Sequence, residues 1–115
     1  MPDFIQHYWP LLLIAAWYAY KWVRVKQVRA LIPQLRAQGA LFVDVRTVAE
    51  FSAGNAPDCI NIPLSDLRGR LQEIPADAPV VLCCASGTRS GMAAALLRRA
   101  GRRPVYNAGG WRNLL

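Results

Sequence analysis

Cys84-Ala85-Ser86-Gly87-Thr88-Arg89 sets a nucleophile, two short hydroxyls, a glycine and a permanent cation within six residues. Before it runs Val80-Val81-Leu82-Cys83, an apolar, β-branched segment that reads as a buried strand. After it, residues 89–100 read as an apolar helix closed by Gly101. In an open parallel sheet, ligands bind beyond the carboxyl ends of the strands. Cys84 stands at such an end, facing the orphan N–H groups and positive dipole end of a helix N-terminus. That field favours the thiolate, the reactive form of a cysteine. Gly87 permits a left-handed turn, so successive N–H groups can converge as a nest. Ser86, Thr88 and Ser90 add hydroxyls, and Arg89 places a charge at the rim. The residues describe an anion-binding loop around an activated cysteine.

The remaining elements alternate strand and helix. Residues 41–45 read as a short buried strand, and Thr47 with Glu50 forms a capping box for a short helix. Gly54-Asn55 is a turn, and residues 59–63 form a brief extended piece stopped by Pro63. Ser65 is expected to cap a helix over residues 66–72, and residues 104–106 form a last strand before Gly109-Gly110-Trp111. This order predicts an α/β domain with a parallel sheet and helices on both faces. Arg98, Arg99, Arg102 and Arg103 fall near a helix C-terminus and read as a solvated face.

The chain has 115 residues, room for one domain, and 54% of them are hydrophobic, too many for a disordered chain. Three cysteines, two of them adjacent, argue against paired disulfides and for a reducing compartment. No CxxC or HxxxH spacing occurs, so no metal site is expected. Fourteen basic against seven acidic residues give +7, of which +4 falls within residues 1–36.

That first stretch has its own character. Seventeen residues from Phe4 to Tyr20 carry no formal charge. Tyr8 and Trp9 lie near one end, with Tyr18, Tyr20 and Trp22 at the other, as in the aromatic belts of a membrane helix. Lys21, Arg24, Lys26 and Arg29 follow on one side only, which points that side to the cytoplasm. The expectation is a transmembrane anchor over residues 1–23, a basic amphipathic juxtamembrane helix over 24–38 broken near Pro33, and a catalytic domain over 39–115. A cleaved signal peptide, an interfacial helix and a helix buried in protein are the competing readings. The basic cluster could meet anionic lipid; nucleic acid is not expected, because no recognition motif accompanies the charge.

Four segments resemble the rhodanese-like domains, in that family's order: LFVDVRTVAEF, CINIPLSDL, VVLCCASGTRSGMAAALL and NAGGW. The resemblance implies a sulfurtransferase that carries sulfane sulfur as a persulfide on Cys84, with loop residues Ala85 to Arg89 around it. Asp44 and Arg46 match the family's DVR and would brace the loop. Arg89 would either contact the anion or act as a structural fork. Cys83 and Cys59 are assigned to the core. A six-residue loop accompanies sulfur transfer in this family, whereas its phosphatases and arsenate reductases carry one residue more. The implied partners are a small anionic donor, thiosulfate or a persulfide, and a thiol or cyanide acceptor, with no cofactor. A non-enzymatic membrane adaptor on the same fold is the rival from another class.

Overall fold

The computed structural model describes residues 2–115. Helix α1 (Pro2–Ala37) leads into strand β1 (Leu41–Asp44), helix α2 (Val48–Ala53) and strand β2 (Cys59–Asn61). A 3-10 segment (Leu64–Glu73) then precedes strand β3 (Val80–Cys84), helix α3 (Thr88–Arg99), strand β4 (Val105–Gly110) and a closing 3-10 turn (Trp111–Leu114). The four strands form one sheet in the order β2-β1-β3-β4, and every neighbouring pair is parallel.

A parallel sheet must be covered on both faces, and alternation along each strand divides the core accordingly. Val43, Val80, Leu82 and Cys84 pack toward one face, against Leu67 and Ile74 of the 3-10 segment and Ala93, Ala94 and Leu97 of α3. Phe42, Val81 and Cys83 pack toward the other, against Val28, Ile32 and Leu35 of α1 and Leu114 of the closing turn. Cys83 and Cys84 therefore lie on opposite faces, as adjacent strand residues must.

Helix α1 departs from the expected layout. It runs through Pro33 without a break, and Ile32 and Leu35 on either side of that proline are buried against the sheet. Packing on both flanking turns offsets the hydrogen bond that proline removes. Residues expected as a separate juxtamembrane helix thus cover one face of the sheet. The transmembrane span expected over residues 1–23 is not found: among the described residues no helix is long and apolar enough to cross a membrane. Gln6, His7 and Pro10 dilute the first turns, and the Tyr and Trp rings carry polar tips, so the wholly apolar stretch is only Leu11 to Ala16. This half of α1 nevertheless stays exposed from Phe4 to Tyr20.

Two local expectations also change. Ser65 makes no cap; Pro63 occupies the start of a 3-10 segment that kinks at Arg70 (φ −123°, ψ 21°). Gly101 does close α3, with φ +84° and the Arg102 N–H donating to Leu97 C=O at 2.9 Å. Beside it the arginines are not merely solvated: Arg98 donates to Val105 C=O at 2.6 Å, and Arg102 to Leu71 C=O at 3.1 Å.

The division of α1 predicts unequal mutational costs. Ile32→Ala, at a site 4% exposed, should lower unfolding free energy by about 2–5 kcal/mol in a denaturant titration. Ile14→Ala, 52% exposed, should leave the domain's unfolding midpoint unchanged.

Candidate functional site

Strand β3 ends at Cys84 and α3 begins at Thr88, so three residues turn the chain back on itself around the cysteine. Gly87 makes that turn possible. It holds φ +100°, and a Cβ there would stand 3.1 Å from Gly109 Cα. Both the left-handed backbone and the missing side chain are required. The turn directs the Gly87 N–H at Cys84 Sγ, 2.9 Å away, and brings the Ser90 hydroxyl within 3.4 Å of the same sulfur.

Cys84 is only 1% exposed, whereas Ala85, Ser86 and Thr88 form an open rim above it. Burial pushes its thiol up, but the Ser90 hydroxyl and the N–H groups of Ser90, Ser86 and Gly87 outweigh burial and bring the net pKa down. Ser90 is itself placed by Asn107, whose Oδ1 lies 2.6 Å from the Ser90 hydroxyl. Asn107 is oriented in turn by donating to Gly87 C=O at 3.0 Å and accepting from Gly109 N–H at 2.9 Å. One hydroxyl proton thus faces two acceptors, and a thiolate draws it more strongly than a thiol.

The expected rim cation is engaged elsewhere. Arg89 grips Glu50 with both arms of its guanidinium, Nη1 to Oε1 at 2.7 Å and Nη2 to Oε2 at 3.0 Å. This fork joins the first turn of α3 to α2. It favours the structural alternative for Arg89 over direct anion contact. Arg89 and the Thr47 N–H together draw the Glu50 carboxyl from an ordinary 4.5 down to about 2. Thr47 also completes the capping box read from the sequence, with the Glu50 N–H donating to its hydroxyl at 3.2 Å.

Asp44 and Arg46 form a second, buried pair at 2.7 Å. Arg46 also donates to Glu50 C=O at 3.2 Å and Gly54 C=O at 2.6 Å, and its guanidinium stacks on Trp111. The pair holds the end of β1 to α2 and makes no hydrogen bond to Cys84. Asn61 closes the arrangement by donating to the carbonyls of Asp44 and Arg46, both at 3.0 Å. Cys59 and Cys83 lie together on the α1 face, where the neighbouring Cys59 side chain and burial push the Cys83 thiol up. Among the described residues no cluster of His, Cys, Asp and Glu could hold a metal ion.

Sequence reasoning missed Asn107, Asn61 and the second role of Glu50. An asparagine just before the Gly-Gly pair was the available signal for Asn107, but nothing local ties it to Ser90. Cys84, Ser90 and Gly87 are brought together as expected from their spacing, while Ala85, Ser86 and Thr88 supply backbone and rim.

A family profile for the Rhodanese-like domain matches residues 25–115. The chain belongs to the rhodanese-like domain family. Its matched region begins at the part of α1 that packs on the sheet. The chain is 45% identical over 71 residues to the uncharacterized protein YqhL of Bacillus subtilis, covering 62% of this chain and 56% of that protein. It is 36% identical over 76 residues to the thiosulfate sulfurtransferase GlpE of Pseudomonas syringae pv. syringae, covering 66% of this chain and 72% of the relative. The fold superposes on the human single-domain sulfurtransferase TSTD1 with a TM-score of 0.64 at 27% identity, over 76% of this chain and 88% of that one. Rhodanese-like sulfurtransferases are thus its homologues.

The site makes two predictions. Cys84 alone should react with iodoacetamide near pH 6.5, with Cys59 and Cys83 labelled only on unfolding. Ser90→Ala should raise the Cys84 pKa and slow labelling several-fold at that pH, converging with wild type at alkaline pH. Mass spectrometry of timed samples reads both.

A third prediction follows Glu50. A depressed folded pKa contributes stability that is present above the unfolded value and lost as pH falls through the folded one. The wild-type midpoint of denaturation should therefore fall between about pH 4.5 and about pH 2 by more than that of Glu50→Gln. Equal acid sensitivity in the two proteins would show that the Arg89 fork carries no linked stability.

Proposed function

We propose that this rhodanese-like domain transfers sulfane sulfur from thiosulfate or a persulfide to a thiol or cyanide through a Cys84 persulfide. The observation that carries the reading is the Cys84 sulfur held in a six-residue loop, with the Gly87 N–H at 2.9 Å and Ser90 beside it. In the first half-reaction the thiolate attacks the outer sulfur of thiosulfate. The S–S bond of the donor breaks, its electron pair leaves with sulfite, and a Cys84–S–S⁻ anion remains. The second half-reaction reverses the roles. Cyanide or a thiolate attacks the terminal sulfur, taking it as thiocyanate or a new persulfide, and the Cys84 thiolate is restored. Charge balances in each step, so no outside reductant enters.

The convergent N–H groups of the loop stabilise negative sulfur in both the resting and loaded forms. Arg89 acts by holding α2 against the loop, and its planar donor pair explains why lysine would be a poor replacement. The short loop suits one added sulfur atom better than a tetrahedral oxyanion, which disfavours phosphatase or arsenate reductase chemistry.

The reading includes attachment to a membrane, with the domain on the reducing, cytoplasmic side. Its support is the exposed half of α1: Ile5, Leu11, Leu12, Leu13, Ile14 and Trp17 are each about half exposed or more. Soluble monomers rarely present so continuous an apolar surface. Insertion of this half into a lipid layer would cover it.

Intact mass after thiosulfate treatment tests the chemistry. Wild type should gain the mass of one sulfur atom, and cyanide should remove it as thiocyanate. Cys84→Ser should show neither, and hydrolysis of an aryl phosphate should stay at background. No sulfur adduct on wild type would reject the transferase reading and leave the adaptor. Arg89→Lys should lose thiocyanate formation about as badly as Arg89→Ala.

A further inference from the structure

A concavity of about 240 Å³ lies where α1 leaves the domain, walled by α1, α3 and β4. Lys21 and Arg24 from α1 and Arg98 from α3 line it, with Tyr20 and Tyr106 at its sides. No carboxylate does. Of the seven acidic residues, Asp44, Glu50, Asp58 and Glu73 are paired with Arg46, Arg89, Arg36 and Arg70, and Asp3, Asp66 and Asp77 do not line the pocket. Three cations gathered in one hollow repel one another, and no carboxylate in its lining offsets that repulsion.

Its level along α1 is the second observation. Beyond the pocket on one side, Ile32 and Leu35 are buried in the domain; on the other, the apolar side chains from Phe4 to Tyr18 are exposed. The basic hollow sits at the changeover. Were the exposed half to enter lipid, the pocket would stand at the depth of the headgroups, where basic pockets meet anionic phosphate.

We infer that the pocket of Lys21, Arg24 and Arg98 binds the phosphate of an anionic lipid headgroup, docking the domain against the membrane in one orientation. The inference rests on the membrane attachment proposed above. Arg98 is tied by one arm to Val105 C=O, so its position is fixed by β4. Lys21 stacks on Trp17 with its ammonium 4.5 Å from the ring, which draws it toward the apolar half. Phosphate shares its chemistry with free phosphate, so the test separates the two.

Flotation of the full chain with vesicles of phosphatidylcholine alone, or with phosphatidylglycerol added, reads both claims. Wild type should float with either, and phosphatidylglycerol should tighten binding on the order of a hundredfold for three cations near the surface. Lys21→Gln/Arg24→Gln should lose most of that gain while keeping the phosphatidylcholine binding and the rate of thiocyanate formation. Lys26→Gln/Arg29→Gln removes equal charge from the same helix outside the pocket, and should keep most of the gain. Equal losses from the two pairs would reduce the effect to general electrostatics and overturn the site. So would the absence of any phosphatidylglycerol gain, and direct binding of inorganic phosphate that Lys21→Gln/Arg24→Gln abolishes would in that case assign the pocket to a free anion. Flotation with phosphatidylglycerol vesicles only would reject insertion of the apolar half yet leave the pocket standing.

Discussion

A buried sulfur whose thiolate the surrounding loop must favour is the constraint on which this fold turns. Burial alone favours the thiol, so each of the donors around Cys84 Sγ must be delivered and held by the backbone. The Gly87 N–H reaches 2.9 Å only because the chain turns left-handed there, and the turn fits against the Gly109 backbone only because Gly87 itself carries no side chain. Asn107 binds the two glycine segments to each other and to Ser90. The loop is therefore stiff because its polar groups are mutually satisfied, and a stiff loop spends no energy reorganising around a charged sulfur.

Two arginine forks transmit this rigidity to the rest of the domain. Arg46, nearly buried, holds Asp44 and the carbonyls of Glu50 and Gly54, while Arg89 takes the Glu50 carboxylate from the other side. Helix α2, six residues long, would be marginal alone, and its place depends on these grips more than on its own apolar contacts. The consequence for chemistry is that both nearby guanidiniums already face carboxylates. The donors aimed at the Cys84 sulfur are then oriented N–H dipoles and the Ser90 hydroxyl rather than a free cation at the rim.

Sequence legibility followed locality. The strand, loop and helix around Cys84 were readable because a single run of residues holds the apolar strand, the glycine and the helix start. The Thr47–Glu50 box was readable because its partners are three apart. Asn107 was not, since its partners Gly87 and Ser90 lie 20 and 17 residues away, and only the β3–β4 pairing brings them near. The sequence leaves Arg89 between two roles because its deciding partner, Glu50, is 39 residues distant. Ser65 misled because a side chain of capping type does not cap when the preceding proline already sets the start of a 3-10 turn.

Helix α1 shows why hydropathy alone divided the chain at the wrong place. A charge-free run and a basic run look like two objects in sequence, yet the backbone is one helix, and what changes along it is the medium it faces. Val28, Ile32 and Leu35 recur at helical spacing and find the apolar positions Phe42 and Val81 of the sheet, so this half belongs to the core despite Lys26 and Arg29 on its outer side. The earlier half is more apolar but finds nothing to pack against. Burial follows the availability of a complementary surface, and in this domain that surface is the face of the sheet opposite the reactive sulfur. The same helix therefore closes the core under Cys83 and extends an uncovered apolar arm from it, which ties the position of that arm to the architecture that holds Cys84.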